Sequence, residues 1–243
     1  MLQKVYRDTS INYVFYDNKS KVSLVYLHGW GQNIEMMMPI AKPFCDKYNV
    51  LVLDLPGFGA SDEPNEAWTL YEYAEMVNFF VKELKLSNVV LIGHSFGGKI
   101  SICYALKYKV KKLILLAAPY DRKISKPTFK MKVFKVLKKT PLAGFAKKHM
   151  GSTDYRNASD KMRQVLVKHV NTDLKEEVKK IKCPTLLIWG TLDEAVDYSD
   201  AVALEKLIPD CGLVTYEGCT HYAYLERLNQ TINVIDSFVG SDK

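Results

Sequence analysis

The chain has 243 residues, with 34 Lys+Arg against 27 Asp+Glu and a formal net charge of +7. Its apolar fraction of 48% is enough to fill the core of one large α/β domain. No apolar run approaches the roughly 18 residues of a membrane-spanning helix, and residues 1–20 alternate polar and apolar without the apolar block of a secretory signal.

Five cysteines (45, 103, 183, 211 and 219) are an odd count without C-x-x-C spacing, which points to reduced thiols and a cytoplasmic setting. There is no H-E-x-x-H, no His/Cys cluster and no Walker loop, so no metal and no cofactor is implied. Gly57 and Gly59 lack a third glycine, and Pro64 interrupts any helix directly after them, which argues against a dinucleotide site.

In chain order, residues 2–6 and 11–16 predict an antiparallel hairpin. Residues 22–27 predict a buried strand leading into His28-Gly29-Trp30-Gly31. Residues 68–85 predict a helix with an apolar stripe at Leu70, Tyr73, Ala74, Val77, Phe80 and Val81. Residues 88–92 are a short β-branched run, followed by Gly93-His94-Ser95-Phe96-Gly97 and a mostly apolar, buried helix over 98–106. The strand–helix rhythm breaks between residues 119 and 182, where helical patterns are punctuated by Pro127, Pro141 and Gly151. It resumes with a strand over 184–189 ending in Gly190-Thr191-Leu192-Asp193. A last strand over 212–216 then leads through Glu217-Gly218-Cys219-Thr220-His221 into one closing helix over 222–239. Strands separated by helices predict a mostly parallel sheet of about eight strands flanked by helices.

The run from Gly93 to Gly97 matches G-x-S-x-G in the setting that gives the pattern meaning, a strand before it and a helix after it. So tight a turn strains the serine backbone and admits only small residues two positions either side. A serine hydroxyl needs a base, and the base an orienting acid. The chain supplies Ser95, Asp193 and His221 in the order this architecture uses, each past the carboxyl end of a strand. Asp121, Glu194 and Asp197 remain alternatives for the acid. His94 is expected to pack behind the nucleophile, and His149 and His169, in a polar helical stretch, carry no signal.

On these motifs the chain resembles the α/β-hydrolase fold family over nearly its whole length. His28-Gly29-Trp30-Gly31 looks like that family's oxyanion loop, and Asp54 to Ser61 resembles its D-x-x-G-x-G-x-S segment. The resemblance implies a core domain over 1–118 and 183–243 with a helical cap over 119–182, inserted after the sixth strand. It also implies catalysis by Ser95, His221 and Asp193, with an oxyanion hole from the backbone N–H groups of Trp30 and Phe96. His28 would then hold the oxyanion loop. Trp30, Phe96, Phe134 and Tyr155 are the substrate-binding candidates, with Phe129, Met131, Phe145 and Met150 as further cap-wall residues.

The expected activity is a serine hydrolase acting on a carboxylic ester, thioester or lactone through an acyl-enzyme. C–C bond hydrolysis, acyl transfer or a lyase step would use the same triad, and a non-catalytic ligand-binding protein on this fold is a further alternative. The partner implied is a small molecule with an acyl group; no nucleic-acid reader motif is present, and oligomeric state is not legible. Residues 121–182 hold 18 Lys+Arg against 6 Asp+Glu, so the basic character sits in the expected cap. Lys130, Lys132, Lys135, Lys138 and Lys139 surround apolar residues there. Such a helix suits a solvated outer face, and can also touch an anionic membrane peripherally or steer anionic substrates.

Overall fold

The computed structural model describes residues 2–122 and 153–241. The eight strands are β1 (Leu2–Tyr6), β2 (Thr9–Tyr16), β3 (Ser23–Leu27), β4 (Asn49–Leu53), β5 (Val89–His94), β6 (Lys112–Leu116), β7 (Thr185–Gly190) and β8 (Cys211–Tyr216). They form one sheet in the order β1-β2-β4-β3-β5-β6-β7-β8. The opening hairpin is antiparallel, and β2 joins β4 antiparallel; every later pairing is parallel.

Strands β3, β4, β5, β6 and β7 are buried at every residue. Helices cover both faces, which is why these strands read as continuous apolar runs instead of alternating ones. Side chains still alternate: Val25 and Leu27 face one core, Leu24 and Tyr26 the other. The first core is closed by α2 (Leu70–Glu83), α3 (Ser95–Lys107) and α6 (Tyr198–Leu207), and the second by α1 (Ile34–Ala41) with α7 (Ala223–Glu226) and α8 (Leu228–Gly240). Helix α2 starts where its capping box dictates: the Glu72 amide donates to Thr69 Oγ1 and the Thr69 amide to the Glu72 carboxylate.

The closing helix differs from the expected single element over 222–239. It divides at Arg227, whose φ of −116° and ψ of 45° are not helical. The Thr220 amide and hydroxyl both bind the Glu226 carboxylate, curling α7 back on the loop before it. After the break, α8 sets Thr231, Ile235 and Val239 against the core.

Between β6 and β7 the described residues hold α4 (Thr153–Asn157), α5 (Asp160–Asn171) and a single turn of tighter helix, with no strand among them. Phe129, Met131, Phe134, Phe145, Met150 and the lysine-rich 130–139 segment lie outside the described residues.

Candidate active site

Ser95 is the first residue of α3 and has a φ of 49°, in the left-handed region that a non-glycine residue adopts only under strain. The strain is held by close packing at the flanking glycines. A Cβ on Gly93 would lie 2.4 Å from Ser101 Oγ and 2.5 Å from the Gly97 carbonyl oxygen; one on Gly97 would lie 2.4 Å from the Leu27 carbonyl oxygen. Backbone therefore touches backbone across the elbow, and the Gly97 amide donates to the His28 carbonyl at 3.1 Å. That bond ties the turn carrying Ser95 to the loop carrying Trp30.

His28 is fully buried and fixes that loop. Its Nε2 accepts from the Leu55 amide at 2.9 Å, which leaves the proton on Nδ1 to donate to the Gly29 carbonyl at 2.7 Å. Burial lowers its pKa to about 4, so the ring stays neutral. Asp54 anchors the next segment: its carboxylate accepts from the Ile34 and Ala60 amides and from the Asn12 side chain, while Ser61 Oγ donates to its backbone carbonyl. The D-x-x-G-x-G-x-S residues thus act as a clasp, with Phe58 held at its tip.

The amide of Phe96 is among the first four of α3, which have no intrahelical acceptor and sit at the positive end of the helix dipole. Trp30 and Phe96 are brought together, their ring centroids 5.2 Å apart and nearly perpendicular. Phe58 joins them, 4.9 Å from Trp30 and 6.1 Å from Phe96.

Asp193 and His221 meet. His221 Nδ1 lies 2.8 Å from Asp193 Oδ2, and the carboxylate side chain is wholly buried. The other oxygen, Oδ1, accepts from the Ala195 and Val196 amides, both at 2.8 Å. The two loops press together closely enough that a Cβ on Gly190 would lie 2.2 Å from the Cys219 carbonyl oxygen. His221 also faces the residue beside the nucleophile: the rings of His94 and His221 are 4.7 Å apart, and His94 Nε2 lies 3.1 Å from the His221 carbonyl oxygen. Among the described residues no hydrogen bond joins Ser95 Oγ to His221; such contacts are often long in unliganded sites and tighten with substrate. Asp121, the alternative acid after β6, receives a contact from Lys99 Nζ at its backbone oxygen.

A cleft of about 400 Å³ opens beside Trp30, lined with Phe58, Met162, Glu63, Asp154 and Ser159. Of the cap-wall candidates, Tyr155 is half-buried on α4 with its ring 5.6 Å from the Arg163 guanidinium. Phe134 lies outside the described residues. Three residues near the site carry no functional motif in the sequence. Phe58 sat inside a glycine-rich motif that reads as loop, and Met162 on a polar helix. His169, expected to carry no signal, is buried with its ring 4.8 Å from Phe96. The signal for the last was present in the apolar spacing of Met162, Val165 and His169, the buried stripe of α5.

No described helix is long and apolar enough to cross a membrane. Residues 22–158 match the model of the alpha/beta hydrolase fold family. The chain is 26% identical to the AB hydrolase superfamily protein YisY of Bacillus subtilis, over 90% of this chain and 91% of that protein. It is 26% identical to the pimeloyl-[acyl-carrier protein] methyl ester esterase of Aeromonas hydrophila, over 89% and 95%. Among solved structures it is similar to the esterase EaEST from Exiguobacterium antarcticum, with a TM-score of 0.76, 25% identity and 96% of each chain covered. Sheet order, strained elbow and family match agree, and the chain belongs to the alpha/beta hydrolase fold family.

Proposed function

We propose that this protein is a serine hydrolase of carboxylic esters, with thioesters and lactones open to the same chemistry. The observation that carries the reading is the 2.8 Å contact between His221 Nδ1 and Asp193 Oδ2, made beside a serine held at positive φ on a strand–helix elbow. The contact fixes the imidazole with its proton on Nδ1 and leaves Nε2 for a substrate-side proton. An esterase relative and an esterase structural neighbour support the class of reaction.

In this reading Ser95 Oγ attacks the ester carbonyl while His221 Nε2 takes its proton. Asp193 holds the imidazole in orientation and stabilises the imidazolium that forms. The Trp30 and Phe96 amides receive the charge on the tetrahedral oxygen, each donor contributing roughly 3 kcal/mol to lowering the barrier. The alcohol leaves with the proton from His221, and water, activated by the same base, releases the acid from the acyl-enzyme. The acyl chain lies against Trp30, Phe58 and Met162, with the buried Phe96 ring backing Trp30, and residues 119–182 serve as the cap that bounds the cleft and excludes water.

A fluorophosphonate probe tests the reading directly. Labelling of wild type but not of Ser95→Ala, together with turnover of p-nitrophenyl butyrate by wild type alone, is the expected result. Full ester turnover by Ser95→Ala would refute the nucleophile, and absence of any labelling would favour a binding protein.

A further inference from the structure

Lys99 is 1% exposed, in a part of α3 whose residues are otherwise apolar or small. A buried ammonium is strongly unfavourable unless the fold supplies oxygens for it. Here the fold does so with main-chain carbonyls. Lys99 Nζ donates to the His169 carbonyl at 3.1 Å and reaches that of Asp121 at 3.5 Å. His169 lies in the last turn of α5, where the helix dipole favours a cation, and its carbonyl accepts from the Thr172 amide at 3.3 Å as well as from Lys99. Asp121 lies beyond β6, before the first residue of α5 by a wide interval of chain. One ammonium therefore grips the chain on both sides of residues 123–152. Cys103 on its own helix, Asp121, and Asp173 just beyond α5 surround the charge, and burial lowers its pKa to about 8.

Helix α5 borders the candidate site at two points. The His169 ring stands edge-on to Phe96 at 4.8 Å. Met162, two turns earlier, lines the cleft with Trp30 and Phe58 and closes on Gly57, where a Cβ would lie 2.4 Å from its terminal methyl.

We propose that Lys99 is a positioning residue for ester hydrolysis: from one turn beyond Ser95 it fastens the C-terminal end of α5, and with it the Met162 wall of the cleft and the His169 ring packed on Phe96, to the helix bearing the nucleophile. The proposal rests on the esterase reading above. Asp193 and His221 stand on elements that Lys99 does not touch, and Ser95, on the same helix as Lys99, is set by the packing of Gly93 and Gly97, so loss of the ammonium acts on substrate placement before chemistry.

The test is Lys99→Met, an apolar chain of similar length, with Lys99→Gln retaining a neutral donor. For Lys99→Met, KM for p-nitrophenyl butyrate should rise about tenfold while kcat stays within about threefold, and Lys99→Gln should fall between the two. Hydrogen exchange should quicken over residues 160–174 in both variants while β5 and the start of α3 keep their protection. An unchanged KM with unchanged exchange overturns the proposal. So does a parallel fall of kcat and rise of KM accompanied by faster exchange across the whole sheet, which is the mark of general destabilisation. If wild type hydrolyses no ester, the esterase reading fails separately, and exchange over 160–174 alone decides: local loosening supports the tether, and wild-type protection overturns it.

Discussion

His94 Nε2 lies 3.1 Å from the backbone carbonyl oxygen of His221, so the residue preceding the nucleophile holds the loop that presents the base. Its ring is buried, packs at a tilt with its centroid 4.8 Å from that of Tyr224, and is pushed down to about pKa 3 by desolvation and by the neighbouring His221. A neutral ring that donates to a loop carbonyl is a mechanical link between elbow and base. His94→Phe keeps the ring packing and removes the donor. An orphaned buried carbonyl costs about 1–3 kcal/mol. Expressed as loop misplacement, that is a fall of roughly one to two powers of ten in kcat/KM for p-nitrophenyl butyrate. A wild-type rate in His94→Phe would show that the contact does not position His221.

The acid is distinguished by its neighbours. Asp193 Oδ1 is held by two amides, leaving Oδ2 for His221. Asp193→Asn presents an amide where the imidazole needs an acceptor and selects the wrong tautomer, so kcat should fall about 10³- to 10⁴-fold. Asp121→Asn should leave kcat within about threefold, since only its backbone oxygen is engaged by a described side chain. Steady-state rates of the two variants side by side check this; a larger loss in Asp121→Asn would reassign the acid.

Much of this was readable in advance because the informative residues obey short-range rules. Buried parallel strands are continuous apolar runs, and β3, β5 and β7 were legible on that ground alone. Gly93 and Gly97 announced a close backbone approach, which the structure locates at the Leu27 and Gly97 carbonyls. What the sequence withheld depends on long-range contact. The break at Arg227 follows from Thr220 reaching Glu226 across α7, and an apolar stripe of 3.6-residue period continues through such a break unchanged. His169 carried no signal in its polar stretch, and Lys99 passed unmarked within a helix that reads as apolar and buried, because local pattern does not say which distant carbonyl or ring a polar side chain meets.

Three histidines tie stability to pH. Burial lowers His28 to about 4, and His94 and His169 to about 3. Their unfolded values are near 6.5. Below that pH the unfolded chain takes up protons that the folded chain refuses, so stability is full above pH 6.5 and is lost as pH falls toward 4. With three groups the steepest slope is about 4 kcal/mol per pH unit. Urea midpoints at pH 7.5, 6 and 5 should show the decline. His169→Phe, which keeps the contact with Phe96 and discards a buried Nδ1 that has no hydrogen-bond partner among the described residues, should reduce the slope by about one third. A flat profile between pH 7.5 and 5 would mean that these rings are protonated in the folded state.

The strain at Ser95 makes a prediction whose sign is the reverse of the usual one. At an ordinary helical position, glycine is about 1 kcal/mol less stable than alanine. At a φ of 49° alanine retains the Cβ clash that serine endures, while glycine does not. Removing a left-handed penalty of about 1–2 kcal/mol offsets the chain entropy that glycine adds to the unfolded state. Ser95→Gly should therefore unfold at a urea concentration equal to or above that of Ser95→Ala, with both variants inactive toward p-nitrophenyl butyrate. If Ser95→Ala is the more stable by the full helical difference, the elbow is relaxed in solution, and the serine is not held under the backbone strain that the fold otherwise imposes on it.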